Sequence, residues 1–224
     1  MMSDILLLGA GRGGYSAGGG GGGGGGGEVT YTVSSSSDDG HFRNPNEDQN
    51  FPSTFTWSSS YATPTTALSK RFRDDDGGDY LYQKAYFRFQ NVDIAQGTTI
   101  QSAFFKPIYK SGSGASTNTL RIVGTDVDNV AAPSASSDGN VSLHTSAIVD
   151  WVNPPTHSTN YQTSPDIKTV IQEIVDRSGW SAGNAIMIQT FYNSHPDATR
   201  TARTYDDTSG GSAGDYAAQL VITT

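Results

Sequence analysis

The chain has 224 residues, no cysteine and a formal net charge of −8 at pH 7, and 34% of its residues are hydrophobic. That length suits one domain with a true core, and the lack of cysteine excludes a disulfide framework and thiolate chemistry. The acidic balance argues against nucleic acid, whose phosphates are met by clustered Lys and Arg; the densest basic spot, Arg71 and Arg73, is followed at once by Asp74, Asp75 and Asp76.

The chain begins with "DILLLGAGRGGYSAGGGGGGGGGGEV" from residue 4. Gly9, Gly11 and Gly14 satisfy the G-x-G-x-x-G spacing of a dinucleotide-binding turn. That turn works only when a helix follows, because the pyrophosphate rests on free N–H groups at a helix N-terminus. Here Gly18 to Gly27 follow instead, each costing a helix roughly 1 kcal/mol relative to alanine. The motif is therefore read as part of a tether. Asp4 stands where a secretion signal carries basic residues, and no run reaches 18 apolar residues, so neither a signal peptide nor membrane insertion is expected. Ile5, Leu6, Leu7 and Leu8, with Gly9, Gly11 and the run from Gly18 to Gly27, form an expected anchoring arm over residues 1–27. Glycine lets a backbone thread a narrow groove, and the four apolar residues can add as a strand or a plug.

The domain is expected over residues 28–224. "VTYTV" (29–33) alternates apolar and polar residues, the mark of a half-buried strand with Val29, Tyr31 and Val33 inward. A tract of Ser, Asp and aromatic residues follows (34–79). Further strands are predicted at "YLYQKAYFRFQNV" (80–92), "TTIQSAFFKPIYK" (98–110), "TLRIVG" (119–124), "AIMIQTF" (185–191) and "AAQLVIT" (217–223). Gly, Ser and Asp turns separate them. One segment differs: in "SPDIKTVIQEIVDRSGW" (164–180), Ile167, Val170, Ile171, Ile174 and Val175 share one helical face. Ser164 is the expected N-cap, Pro165 the first helical residue and Gly179 a left-handed C-terminal stop. This predicts a three-turn helix over about 165–178, with Lys168, Gln172, Glu173 and Asp176 facing solvent. The fold class is all-β: an antiparallel β-sandwich of jelly-roll type with one packed helix.

The segments "AYFRFQNVDIAQGTTIQSAFF" (85–105), "IVGTDVDNVAAPS" (122–134), "VDWVNP" (149–154), "SPDIKTVIQEIVDRSGWSAGNAI" (164–186) and "AAQLVIT" together resemble the disaggregatase-related, DNRLRE-type jelly-roll domains. The helix followed by "GWSAGNA" carries most of the likeness, which spans about residues 29–224. The resemblance implies a carbohydrate-binding-module-like sandwich that binds or displays and does not catalyse. Such domains occur in secreted proteins and in bacteriophage structural proteins. A single domain behind a glycine-rich leader looks like the phage arrangement: a virion protein, serving as capsid decoration, head fibre or tail appendage. Its expected partners are other virion proteins, met through the arm, and host surface glycans. A homo-oligomer, trimer first, is expected, since appendage proteins work as symmetric assemblies. The alternative is a polysaccharide-binding module of a secreted or cell-surface system.

No segment nominates catalytic machinery. Glu28, Glu47 and Glu173 are the only glutamates, and His41, His144, His157 and His195 are scattered without H-E-x-x-H spacing or a G-x-S-x-G elbow. No cofactor is expected beyond a structural calcium ion, for which Asp126 and Asp128 are the candidates; the alternative there is a solvated loop. Glycan stacking requires exposed rings. Trp57, Tyr61, Tyr192 and Tyr205, lying in or beside polar segments, are the candidates, whereas Trp151 and Trp180 are read as core.

Overall fold

A computed structural model describes residues 27–43, 56–57, 65–73, 80–113, 118–194 and 199–224. Strands are numbered in chain order. Two antiparallel sheets face each other as an all-β sandwich with one helix. The smaller consists of β1 (Glu28–Thr32), β12 (Gln219–Thr223) and β6 (Ser102–Lys106), in that order. The larger runs β7 (Tyr109–Ser113), β11 (Thr199–Arg203), β4 (Thr65–Arg73), β5 (Tyr80–Val92), β10 (Asn184–Ser194), β8 (Thr119–Gly124) and β9 (Val149–Val152). Short β2 (Asp39–Arg43) pairs with β5 and with β3 (Thr56–Trp57).

The long apolar segments form the strands expected of them. β5 spans the predicted residues, and its inward positions Ala85, Phe87 and Phe89 meet Ile186 and Ile188 of β10, Leu120 and Ile122 of β8, and Phe105 of β6 in one core. The Phe87 and Phe105 rings lie 4.9 Å apart across the two sheets. Trp151 and Trp180 are buried in this core as expected, and Trp180 Nε1 donates to the Ile94 carbonyl at 2.8 Å. Two expectations for strands need revision. Residues 98–110 do not form one strand: Pro107 has no N–H to offer a ladder, and the chain turns there from β6 in the small sheet to β7 in the large one. Val29, expected inward, is 46% exposed, because β1 is the outermost strand of the small sheet.

The helix α1 (Lys168–Val175) is shorter than expected. Residues 164–167 are not its first turn, because they close the open edge of β6. Ser164 N donates to the Phe105 carbonyl and Ile167 N to that of Ala103, while Ser164 Oγ accepts from Phe105 N and Asp166 Oδ1 from Ala103 N. Asp166 Oδ1 also accepts from Lys168 N, so it caps the helix from two residues upstream. Backbone donors and side-chain acceptors of residues 164–167 together stand in for a neighbouring strand along Ala103–Phe105.

Nor is the polar face of α1 merely solvated. Gln172 accepts from Ile100 N and donates to the Thr98 carbonyl, and Glu173 accepts from Ser146 N and Ala147 N, both at 2.7 Å. Gly179 does not end the helix in left-handed backbone; positive φ falls at Gly183 (92°). A Cβ on Gly179 would meet the Asp128 carboxylate, which would have to shift from its place on Arg177.

Val170, Ile171, Ile174 and Val175 are fully buried by this packing. Ile171→Ala is expected to lower stability by about 2–5 kcal/mol, whereas Val152→Ala, at a side chain 64% exposed, changes it by less than about 0.5 kcal/mol. Urea denaturation of the two variants checks this; equal losses would contradict the packing described.

Candidate functional site

The large sheet has a second apolar face, turned away from the small sheet. Strand alternation puts Phe42, Lys84, Tyr86, Met187, Gln189 and Phe191 there, and Phe42, Tyr86, Ala185 and Met187 join Val130 in a second core. Residues 125–145, which lack a regular strand, cover this face. They are held by Thr125 N to the Met187 carbonyl (2.9 Å), Ala185 N to Asn129 Oδ1 (2.9 Å) and Arg88 Nε to the Val130 carbonyl (2.7 Å). Close approach matters at two glycines. A Cβ on Gly139 would lie 2.7 Å from the Phe42 ring, and one on Gly40 would lie 2.7 Å from the Tyr86 hydroxyl.

Between cover and sheet lies a cavity of about 250 Å³. Val127, Val130, Ala131, Leu143 and Met187 make its walls apolar, and Asn129, Ser134 and Asp138 bring polar groups. Asp138 is set by two backbone donors, Ser134 N and Ala135 N, at 2.8 and 2.9 Å. A small apolar space with a few oriented polar groups has the form of a small-molecule site, somewhat below the usual size.

Beside it lies a polar cluster. Lys84 Nζ is 3.0 Å from His144 Nε2 and 5.4 Å from the centre of the Phe42 ring, and the imidazole stacks on Phe191 at 5.3 Å. Gln189 Nε2 donates to Thr125 Oγ1 at 2.8 Å. Burial pushes the Lys84 amine down to about 7. Burial, with the Lys84 charge adding to it, pushes His144 down to about 3. The imidazole is therefore neutral at pH 7 and its Nε2 can accept from the amine. Lys84 has no exposed surface, so the pair fixes the cover instead of meeting a dissolved substrate. Nothing in the sequence marks this lysine, because a polar residue alternating along a strand ordinarily faces solvent.

The sequence candidates are dispersed. Ile5, Leu6, Leu7, Leu8, Gly9, Gly11 and Gly18 lie outside the described residues, as do Tyr61 and His195; Gly27 is exposed, at the root of β1. Trp57 is in β3, opposite Phe42, and Tyr192 is in β10, opposite Leu120; the side chains of both lie outside what is described. Tyr205, expected on the surface, is half-buried, packs against the main core and lies against Gly214. The Asp126 and Asp128 carboxylates meet a cation, but it is a guanidinium: Arg177 Nη1 and Nε donate to them at 2.5 and 2.6 Å. Arg177 follows α1 by two residues, so this pairing ties the helix end to the cover. Among the described residues no group of three or more His, Asp or Glu side chains is placed to hold a metal ion. The chain matches no known family model and no curated protein.

The Lys84 amine titrates lower in the folded chain than its ordinary 10.5. Between about pH 7 and 10.5 the unfolded chain therefore carries a proton that the folded one lacks, so stability rises with pH across that window. Relative to Lys84→Met, the wild-type chain is expected to gain up to about 1.4 kcal/mol per pH unit between pH 7 and 9. Urea denaturation at pH 7, 8 and 9 tests this, and parallel stabilities would contradict a depressed amine.

Proposed function

We propose that this chain is a structural protein of a bacteriophage particle: residues 1–27 anchor it to other virion proteins, and the sandwich projects outward as a capsid decoration, head fibre or tail appendage. The observation carrying this reading is the placement of two features in opposite layers. The arm joins the body at β1, the edge of the small sheet. The cavity lies on the far face of the large sheet, beneath residues 125–143. A body held through β1 therefore turns the cavity and its cover outward, where weak attachment to host surface glycans would take place. The resemblance to DNRLRE-type domains supports a sandwich that binds or displays.

The second reading, a polysaccharide-binding module of a secreted or cell-surface system, is favoured by the cavity itself. Apolar walls suit a ring face or an acetamido methyl, and Asn129 and Asp138 suit hydroxyls. Neither reading involves catalysis.

Co-sedimentation with phage particles lacking this protein separates the two. The full chain is expected to bind the particles, and replacing Ile5, Leu6, Leu7 and Leu8 by serine is expected to lower occupancy at least tenfold with the melting temperature unchanged. Equal binding by both chains would move the docking surface into the sandwich. Failure of both to bind, with measurable glycan affinity, would favour the binding module.

A further inference from the structure

Two polar side chains in the wall of the cavity each have one atom fixed by the backbone and one atom left over. Asn129 Oδ1 accepts from Ala185 N at 2.9 Å, which sets the orientation of the amide and leaves Nδ2 as a donor without a partner among the described residues. Asp138 Oδ2 accepts from Ser134 N and Ala135 N at 2.8 and 2.9 Å, which leaves Oδ1 as an acceptor in the same condition. Both line the one space of about 250 Å³. Its other walls are mainly apolar, with Val130 and Met187 buried against the sheet. Among the described residues no aromatic ring and no Lys, Arg or His lines it.

One donor, one acceptor and an apolar wall are the complement of a secondary amide that carries a methyl group. A purely aliphatic ligand would cover the wall but leave the carboxylate and the amide unpaired as it displaced their water. A hydroxyl would use both polar atoms and leave the wall wet. With no cation in the lining, the Asp138 carboxylate repels an anionic group. With no aromatic ring to stack on, recognition falls on a substituent and not on the face of a sugar ring. We propose that the cavity takes the acetamido group of a terminal N-acetylamino sugar. The acetamido N–H donates to Asp138 Oδ1, its carbonyl accepts from Asn129 Nδ2, and its methyl lies against Val130 and Met187. The assignment rests on the reading in which the sandwich attaches to surface glycans, and it narrows that reading to one chemical group. A space of this size holds one substituent with part of its ring, so the sugar enters from the end of a chain and not from its middle.

Met187 provides the readout, because the only other methionines are Met1 and Met2. Its methyl, labelled with carbon-13 and assigned through Met187→Leu, is followed by NMR while the full chain is titrated with N-acetylglucosamine, glucose or Nε-acetyl-lysine. The acetylated sugar is expected to shift the signal saturably with a millimolar Kd, and the other two to bind at least tenfold more weakly. Asp138→Asn keeps an oxygen for Ser134 N and Ala135 N but turns an NH₂ toward the ligand N–H. It should weaken binding at least tenfold with the melting temperature unchanged. Equal shifts with glucose, or full binding by Asp138→Asn, would overturn the acetamido assignment. Tighter binding of Nε-acetyl-lysine would overturn it in favour of an acetylated amine. A Met187 signal indifferent to all three would strike the cavity as a site; full-chain binding to immobilised glycans in that case would leave the attachment reading standing on another surface, and its absence would remove both.

Discussion

The central strands β5 and β10 of the large sheet are buried on both faces over residues 83–87 and 185–191, and the layers around them keep both faces from water. A sheet buried on two sides needs a layer on each. On the inner side the small sheet supplies three strands, and α1 continues that layer beyond β6 to reach β8, where Ile174 closes on Gly124. On the outer side an irregular segment, residues 125–145, does the work of a layer. Irregular backbone in such a position must find donors and acceptors outside itself. It finds them in β10 and in Arg88, beside bonds of its own such as Asp126 N to the Leu143 carbonyl.

Polar side chains accordingly carry much of the architecture. Ser164 and Asp166 add to the hydrogen bonding of β6, Gln172 to that of residues 98–100, Arg177 holds the start of the cover at Asp126 and Asp128, and Glu173 holds Ser146 and Ala147 just past its end. Each joins elements far apart in sequence. The helix is small, yet both layers depend on it: its apolar face fills the core and its polar face fixes the loops beside it. The cavity follows from the same arrangement, since a cover held at discrete points does not fill all the space above Met187.

How far this was legible in the sequence depends on how local the cause is. Long runs such as 80–92 and 119–124 show their strands through alternation, because one face is buried along their whole length. β2 is opaque: "DGHFR" is five residues with one large apolar side chain, and Phe42 is a core residue only because Gly139 comes from far along the chain to meet it. The apolar face of the helix was legible, and its start was not, since Ser164 and Asp166 serve a distant strand edge before they serve the helix. The aspartates "TDVDN" suggested a metal because their nearest positive partner, Arg177, lies some 50 residues away in sequence. Tyr205 looked superficial because its neighbours are polar, but Asp206 is taken up by Ser36 and Asp207 by Lys110, Arg203 and Ser209.

The proposed function rests on a geometric relation: β1, which follows the proposed arm in the chain, is the edge of one layer, and the cavity lies beyond the other. An anchored body in this arrangement has one orientation that keeps the cavity free. Electron cryomicroscopy of particles carrying the full chain tests this most directly. The account predicts density running from β1 into the particle, with residues 125–143 facing solvent. Density in which residues 125–143 are pressed against the particle, with β1 pointing away, would contradict it.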